Sequence, residues 1–257
     1  MSDTHTAPQI CSGESNSPKE QSTRPKEVKR ALKASLRRLQ LNNVDSFLVH
    51  SPLTDSARRL GSWQALLELQ EEGLCRSIGV ANFGPQHLEE LRTVSGEAPQ
   101  VLQLELSPYN QHRDCTAWAA KHDVAVTCAA WSKLSGTFNW GSDEKYRAMQ
   151  AIAKAHGATR AQVLVRWAVQ RGFGALPRSG TGSSAERLAI RQNSADGSGL
   201  LPESSASRDM TWSGGPLTAA EMTTLDGFEE QLPAGRLGRL DGWSAGDVGG
   251  SDWDPTR

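Results

Sequence analysis

Five places in the 257-residue sequence put side chains capable of chemistry at or beside short apolar runs. His50 closes VDSFLVH, Asn82 sits near the end of SIGVANF, and Gln103 lies within VLQLELS. Trp131 ends VAVTCAAW and is followed by Ser132, Lys133 and Leu134, while Arg178 and Ser179 stand in LPRSGTG. An imidazole can donate or accept a proton near neutral pH. A ligand amide needs one donor and one acceptor, and Asn82 with Gln103 can offer both. An indole stacks on a flat ring. The Arg178 guanidinium forms a two-pronged donor for a phosphate. The N–H groups near Gly180 and Gly182, with the start of the helix that carries Arg187, would add to an anion site. Each residue also has a plainer explanation: a satisfied strand-end histidine, an asparagine in a turn, a core tryptophan or a surface Arg-Ser-Gly loop. Gln103, inside an otherwise apolar run, is the hardest to explain that way.

These residues need a scaffold, and the hydrophobic pattern supplies one. From Pro25 onward Val28, Leu32, Leu36 and Leu39 recur at helical spacing. After them, apolar runs at 44–50, 77–83, 101–107, 124–131 and 173–177 alternate with helical stretches at 63–73, 85–94, 115–123, 144–156 and 159–170. Short Val/Leu/Ile-rich runs alternating with helices predict parallel strands joined by crossovers. No G-x-G-x-x-G follows any run, which argues against a doubly wound dinucleotide fold. Polar residues just after strand ends are what the carboxyl face of a β/α barrel requires. The expected organisation is a polar leader over 1–22, a partial β/α barrel over 23–193 and a Ser/Gly-rich insertion over 194–216. A helix over 217–232 follows, with Thr218 and Glu221 spaced as a capping box, and then a Gly-rich tail over 233–257.

Composition narrows the classes. Lys+Arg 28 against Asp+Glu 29, with no dense basic run, lacks the electrostatic footprint of a nucleic-acid binder. No stretch approaches the roughly 20 apolar residues of a membrane span. Cys11, Cys75, Cys115 and Cys128 form no C-x-x-C pair, so neither a metal site nor a disulfide framework is indicated. Four scattered thiols and the absence of an apolar leader point to the cytoplasm.

Taken in order, SLRRLQLNN, VDSFLVHSP, the Trp63 helix, GLCRSIGVANF, QLELSPYNQ and AQVLVRWAVQ resemble the aldo-keto reductases, over roughly Pro25 to Asn193 and again at 217–232. The resemblance implies a (β/α)8 TIM-type barrel and NADP(H)-dependent reduction of small aldehydes or ketones. It places His50 where the family orients the carbonyl. Asn82 and Gln103 fall on the nicotinamide-carboxamide contacts, with Ala81 in place of the family's serine. Trp131 falls on the aromatic that stacks on the nicotinamide, followed by Ser132 and Leu134. Arg178, Ser179 and Arg187 fall on the 2′-phosphate segment, where Arg replaces the usual Lys and keeps NADP preference.

The same resemblance implies three strands before the one that ends on His50, carrying an Asp, a proton-donating Tyr and a Lys. Only the 1–22 leader precedes the first helix here, and a βα crossover unit takes roughly 30 residues. The two tyrosines, Tyr109 and Tyr146, both follow His50 in sequence. The expectation is an incomplete barrel of five strands, with the catalytic tetrad reduced to His50 and turnover impaired. The alternative is a non-catalytic remnant or binding protein that keeps the nucleotide contacts.

Overall fold

A computed structural model describes residues 25–52, 56–129, 144–176 and 214–228. The order of elements is α1 (Pro25–Leu39), β1 (Val44–Val49), α2 (Ser56–Glu71), β2 (Cys75–Ala81), α3 (Pro85–Ser95), β3 (Val101–Glu105), α4 (Arg113–Lys121), β4 (Ala125–Ala129), α5 (Glu144–Ala155), α6 (Arg160–Gln170), β5 (Gly174–Ala175) and α7 (Ala219–Asp226). The strands follow one another in the sheet in sequence order, β1-β2-β3-β4-β5, and β1/β2 and β2/β3 pair in parallel. Parallel neighbours in sequence order, each joined through a helix, are the arrangement of a β/α barrel wall. All five apolar runs therefore become strands, although β5 keeps only two residues.

The chain divides into two compact units. The first holds the described residues up to Leu104 together with His112–Thr127, and the second holds Glu105–Gln111 and the described residues from Cys128 to Phe228. In the first unit α2 packs on β1 and β2 and also meets α1 and α3. Its core comprises Leu32 of α1, Leu48 of β1, Leu66 of α2, Val80 of β2 and Leu102 of β3. In the second unit α5 packs on α6 and α7, and α6 packs on β5, around Trp167, Met149 and Leu225.

The ends of α1, α2, α4 and α6 share one local device. After α2, Gly73 takes φ +73° and the Leu74 N–H reaches back to the Leu69 carbonyl at 3.0 Å. After α6, Gly172 takes φ +80° and Phe173 reaches Ala168 at 2.9 Å. This left-handed cap satisfies the last carbonyls of each helix and turns the chain into the next strand. Gln40 and Asp123 do the same after α1 and α4 without the conformational freedom of glycine. The α1 stripe is buried at Val28, Leu32 and Leu36, but Leu39, on the last turn before that cap, is 44% exposed.

Two of the boundaries that depart from the sequence reading have a visible cause in side-chain pairing. Helix α2 starts at Ser56, seven residues before Trp63. Its first turns carry Arg58, Arg59 and Gly61, which show no apolar stripe. The reason lies in Arg59, which is buried as one half of an ion pair. Strand β2 starts at Cys75, two residues earlier than read, and Arg76 bonds Asp45 of β1 at 2.7 Å. The capping box at Thr218 forms as read, with Thr218 Oγ accepting from the Glu221 N–H. A second one at Thr159 and Gln162 starts α6.

Candidate functional site

Three neighbouring strands bring three of the candidate residues to one level of the first unit. Val49 pairs with Val80, so continuing the register sets His50 beside Ala81, and Ala81 pairs with Gln103. The register is enforced below this level at Gly79. A Cβ there would stand 2.2 Å from the Val101 carbonyl oxygen, so only glycine lets β2 approach β3 this closely.

Asn82 follows directly on β2 and adopts φ +64°, a left-handed conformation that asparagine tolerates better than most residues. Its N–H donates to the Gln103 carbonyl at 2.9 Å, extending the ladder by one bond. Its Nδ2 donates to the His50 carbonyl at 2.8 Å. One N–H of the side-chain amide is thus committed to β1, and Oδ1 can accept from a ligand. The turn explanation and the binding explanation are both compatible with this geometry, because the same side chain does the turning and presents the oxygen.

Gln103 is buried, and its Nε2 has no hydrogen-bond partner. A buried amide donor left unmade costs on the order of 1–3 kcal/mol. Ala81 is buried beside it and offers no hydroxyl. His50 is half-buried, and that burial holds its imidazole below the ordinary pKa of 6.5, so the ring favours the neutral form. A neutral imidazole can donate one hydrogen bond to a carbonyl oxygen without bringing a charge into the site.

The remaining candidates, Trp131, Ser132, Leu134, Arg178, Ser179 and Arg187, lie outside the described residues. Other polar groups escaped notice in the sequence. Ser46 Oγ on β1 and Thr127 Oγ1 on β4 are buried without a partner, like Gln103 Nε2. The signal was available in the same form, a polar residue interrupting an apolar run. Tyr109 is buried with its ring 5.3 Å from that of Phe228, and Tyr146 lies under the Arg160 guanidinium at 4.6 Å.

Burial pushes the Cys75 thiol up to about 11 and the Cys128 thiol up to about 12, which keeps both protonated and poor as nucleophiles. His112, Asp114 and Cys115 bring three potential ligand atoms within 4.8 Å of one another. Asp114 accepts from the Cys115 N–H at 2.8 Å in the first turn of α4, and the Cys115 sulfur lies 3.8 Å from the Phe83 carbonyl. No helix of the described residues is long and apolar enough to cross a membrane.

Parallel strands in sequence order, with polar side chains at their carboxyl ends, define an α/β protein of the TIM-barrel type. Comparison with known proteins then supplies the family. The aldo/keto reductase family profile matches residues 10–195. The methylglyoxal reductase DkgA of Escherichia coli K12 is 37% identical over 160 residues, covering 62% of this chain and 56% of that protein. An aldo-keto reductase of Mycolicibacterium smegmatis is 36% identical over 201 residues, covering 78% of this chain and 61% of its own length. Among solved structures, Gox0644 in its apo form superposes with a TM-score of 0.66 at 29% identity, covering 86% of this chain and 70% of that one. A Gox0644 mutant in complex with NADPH superposes equally well, with a TM-score of 0.66 at 28% identity, covering 88% and 72%. The chain belongs to the aldo/keto reductase family. It spans 56% of the length of DkgA and 61% of the mycobacterial relative.

Proposed function

We propose that this chain carries the nicotinamide-binding side of an NADP(H)-dependent carbonyl reductase site acting on small aldehydes or ketones. The observation that carries the reading is the buried, unpartnered Gln103 Nε2 beside an Asn82 whose oxygen alone remains to accept. A carboxamide presents one carbonyl oxygen and one NH2, and Gln103 and Asn82 are complementary to it. Bound there, NADPH would supply a hydride to the carbonyl carbon of a substrate. Gln103 would donate to the carboxamide oxygen and Asn82 Oδ1 would accept from its nitrogen, so these two residues would orient the ring. His50, held neutral by burial, donates one hydrogen bond to the substrate oxygen and sets its direction. As the resemblance implies, Trp131, followed by Ser132 and Leu134, would stack on the ring, and Arg178, Ser179 and Arg187 would hold the 2′-phosphate and favour NADPH over NADH.

Neither tyrosine of this chain falls on the proton donor that the resemblance implies. Tyr109 is packed on Phe228, and Tyr146 is engaged under Arg160. By itself the chain therefore binds the cofactor and reduces carbonyls poorly, since removing a general acid costs roughly 10²–10⁴ in rate. Fluorescence titration with NADPH and NADH tests the reading. Saturable quenching at micromolar or weaker affinity is expected, stronger for NADPH and weakened in Gln103→Ala. No saturable change with either nucleotide would end it.

A further inference from the structure

Arg59 is an anomaly in the first unit. It lies in the first turns of α2 on the face that also buries Ser62, Trp63 and Leu66, and it is only 7% exposed. Taking a guanidinium out of water is costly unless charge and hydrogen bonds are both restored, and an apolar residue at such a position would pack at no such cost. Here Arg59 Nε bonds Glu90 Oε2 at 2.6 Å, and Arg59 Nη1 donates to the Pro52 carbonyl at 2.9 Å. The other carboxylate oxygen of Glu90 accepts from Ser56 Oγ at 2.5 Å. Burial pushes Glu90 up, but the bonds from Arg59 and Ser56 outweigh it and hold the carboxylate below its ordinary range.

The partners define what the pair connects. Pro52 stands two residues beyond His50, on the segment that leaves β1. Glu90 belongs to α3, the helix entered directly from the Asn82 turn that leaves β2. Asn82 already holds the His50 carbonyl. The backbone around His50 is therefore gripped at two points, at its own carbonyl from β2 and at the Pro52 carbonyl from α2. Both grips lead back to the same strand end. A planar guanidinium offers donors in fixed divergent directions, which one ammonium nitrogen cannot reproduce.

We propose that Arg59 is a positioning residue for His50. Its guanidinium anchors the Pro52 carbonyl and, through Glu90, locks the segment leaving β1 to the helix that follows β2, so that the His50 imidazole keeps its half-buried place. The inference rests on the reading of His50 as the residue that orients the carbonyl.

The test reads His50 directly, by its imidazole proton resonances through a pH titration, with Tm recorded in parallel. Two variants are compared with the parent. Arg59→Lys keeps the buried charge and with it the fold. Arg59→Met combined with Glu90→Leu removes the pair together, which is often neutral where removing one member alone is not. In both, the His50 midpoint is expected to rise toward the ordinary 6.5, because the loop no longer holds the ring in its buried place. A midpoint that matches the parent in Arg59→Lys overturns the proposal, as does a matching midpoint in a folded double variant. A role in stability alone would lower Tm and leave the midpoint where it was. NADPH titration of the same samples separates the two readings. A parent that fails to bind NADPH ends the proposed function, and the His50 midpoint still decides on Arg59.

Discussion

His156, just past α5 in the second unit, has acceptors on both ring nitrogens. Nδ1 lies 2.9 Å from the Gly214 carbonyl oxygen, and Nε2 lies 3.0 Å from both oxygens of Glu221 on α7. A carbonyl and an ionised carboxylate can only accept, so this arrangement favours the imidazolium, which carries hydrogen on both nitrogens, and raises the pKa of the ring. The same carboxylate accepts from the Thr218 N–H at 2.7 Å and from its hydroxyl at 2.9 Å. At His50 and Gln103 in the first unit the treatment is the reverse. His50 is buried toward neutrality, and the Gln103 amide beside it keeps an unpartnered donor. Saturated hydrogen bonding is what a structural clasp needs, whereas capacity left unused inside a fold is costly and fits a place that water or a ligand completes. On the proposed function, the contrast is one between a site and a fastening.

The largest effect expected from breaking the contrast is at Gly79. Gly79→Ala places a carbon 2.2 Å from a backbone oxygen of Val101, and backbone cannot swing aside as a side-chain tip can. A loss of about 3 kcal/mol is expected, at the upper end of overpacking costs, together with loss of NADPH binding, because Ala81, Asn82 and Gln103 share the disturbed register. Urea denaturation checks it. Wild-type stability in Gly79→Ala would mean that β2 and β3 do not approach as described, and the site geometry would go with them.

Next comes the exchange of an unused polar group for an apolar one. Gln103→Leu should raise stability by about 1 kcal/mol, since it deletes a buried donor that has no acceptor. It should also weaken NADPH binding about tenfold, which corresponds to about 1.4 kcal/mol. Glu221→Ala should do the opposite to stability, costing about 1 kcal/mol through the lost capping box and clasp, and should leave the cofactor face of the first unit untouched. If both variants destabilise alike, Gln103 is an ordinary structural residue and the comparison collapses.

The two histidines should also oppose each other in pH dependence. The hydrogen bond that His156 donates to Glu221, helped by the one to the Gly214 carbonyl, raises the His156 pKa above its ordinary 6.5. Its contribution is fully present below 6.5 and is lost as pH rises through the elevated native value. Burial lowers the His50 pKa, so the native state resists protonation there. That contribution is intact above 6.5 and is lost as pH falls through the depressed native value. Burial pushes Glu221 up, but the bonds from Thr218 and His156 hold it below its ordinary range, which keeps the clasp closed down to mildly acidic pH. Thermal melts from pH 5 to 9 should show His156→Gln losing the alkaline decline and His50→Asn losing the acidic one. The same slope in both variants would contradict the opposite treatment of the two rings.

How much of this was legible in the sequence depends on whether the cause was local. VDSFLVH, SIGVANF and VLQLELS announced strands because apolar side chains cover both faces of a buried sheet, and Gln103 stood out against that background. The start of α2 did not, because Arg59 is buried by a partner thirty-one positions away in the chain, which no periodicity reports. The clasp at His156 was hidden for the same reason, since its acceptors come from beyond position 213. The capping box at Thr218 was readable because both of its members lie within one turn. The nucleotide contacts expected at Trp131 and Arg178 lie outside the described residues and stand on the resemblance alone.

The smallest expected effect, at Asn82, sharpens the contrast most finely because two costs there have opposite signs. Asn82 holds φ +64°, where a Cβ is unwelcome, and gains the bond from Nδ2 to the His50 carbonyl at 2.8 Å. Asn82→Gly gives up that bond but removes the strain, so its net stability change should stay within about 0.5 kcal/mol of zero. Asn82→Ala gives up the same bond and keeps an unfavourable left-handed residue, costing about 1 kcal/mol more than the glycine variant. Both should weaken NADPH binding equally, since each removes the accepting Oδ1. Equal stability of the two variants would show that the left-handed turn carries no strain. Unequal NADPH binding would show that the backbone, and not the side-chain oxygen, meets the cofactor.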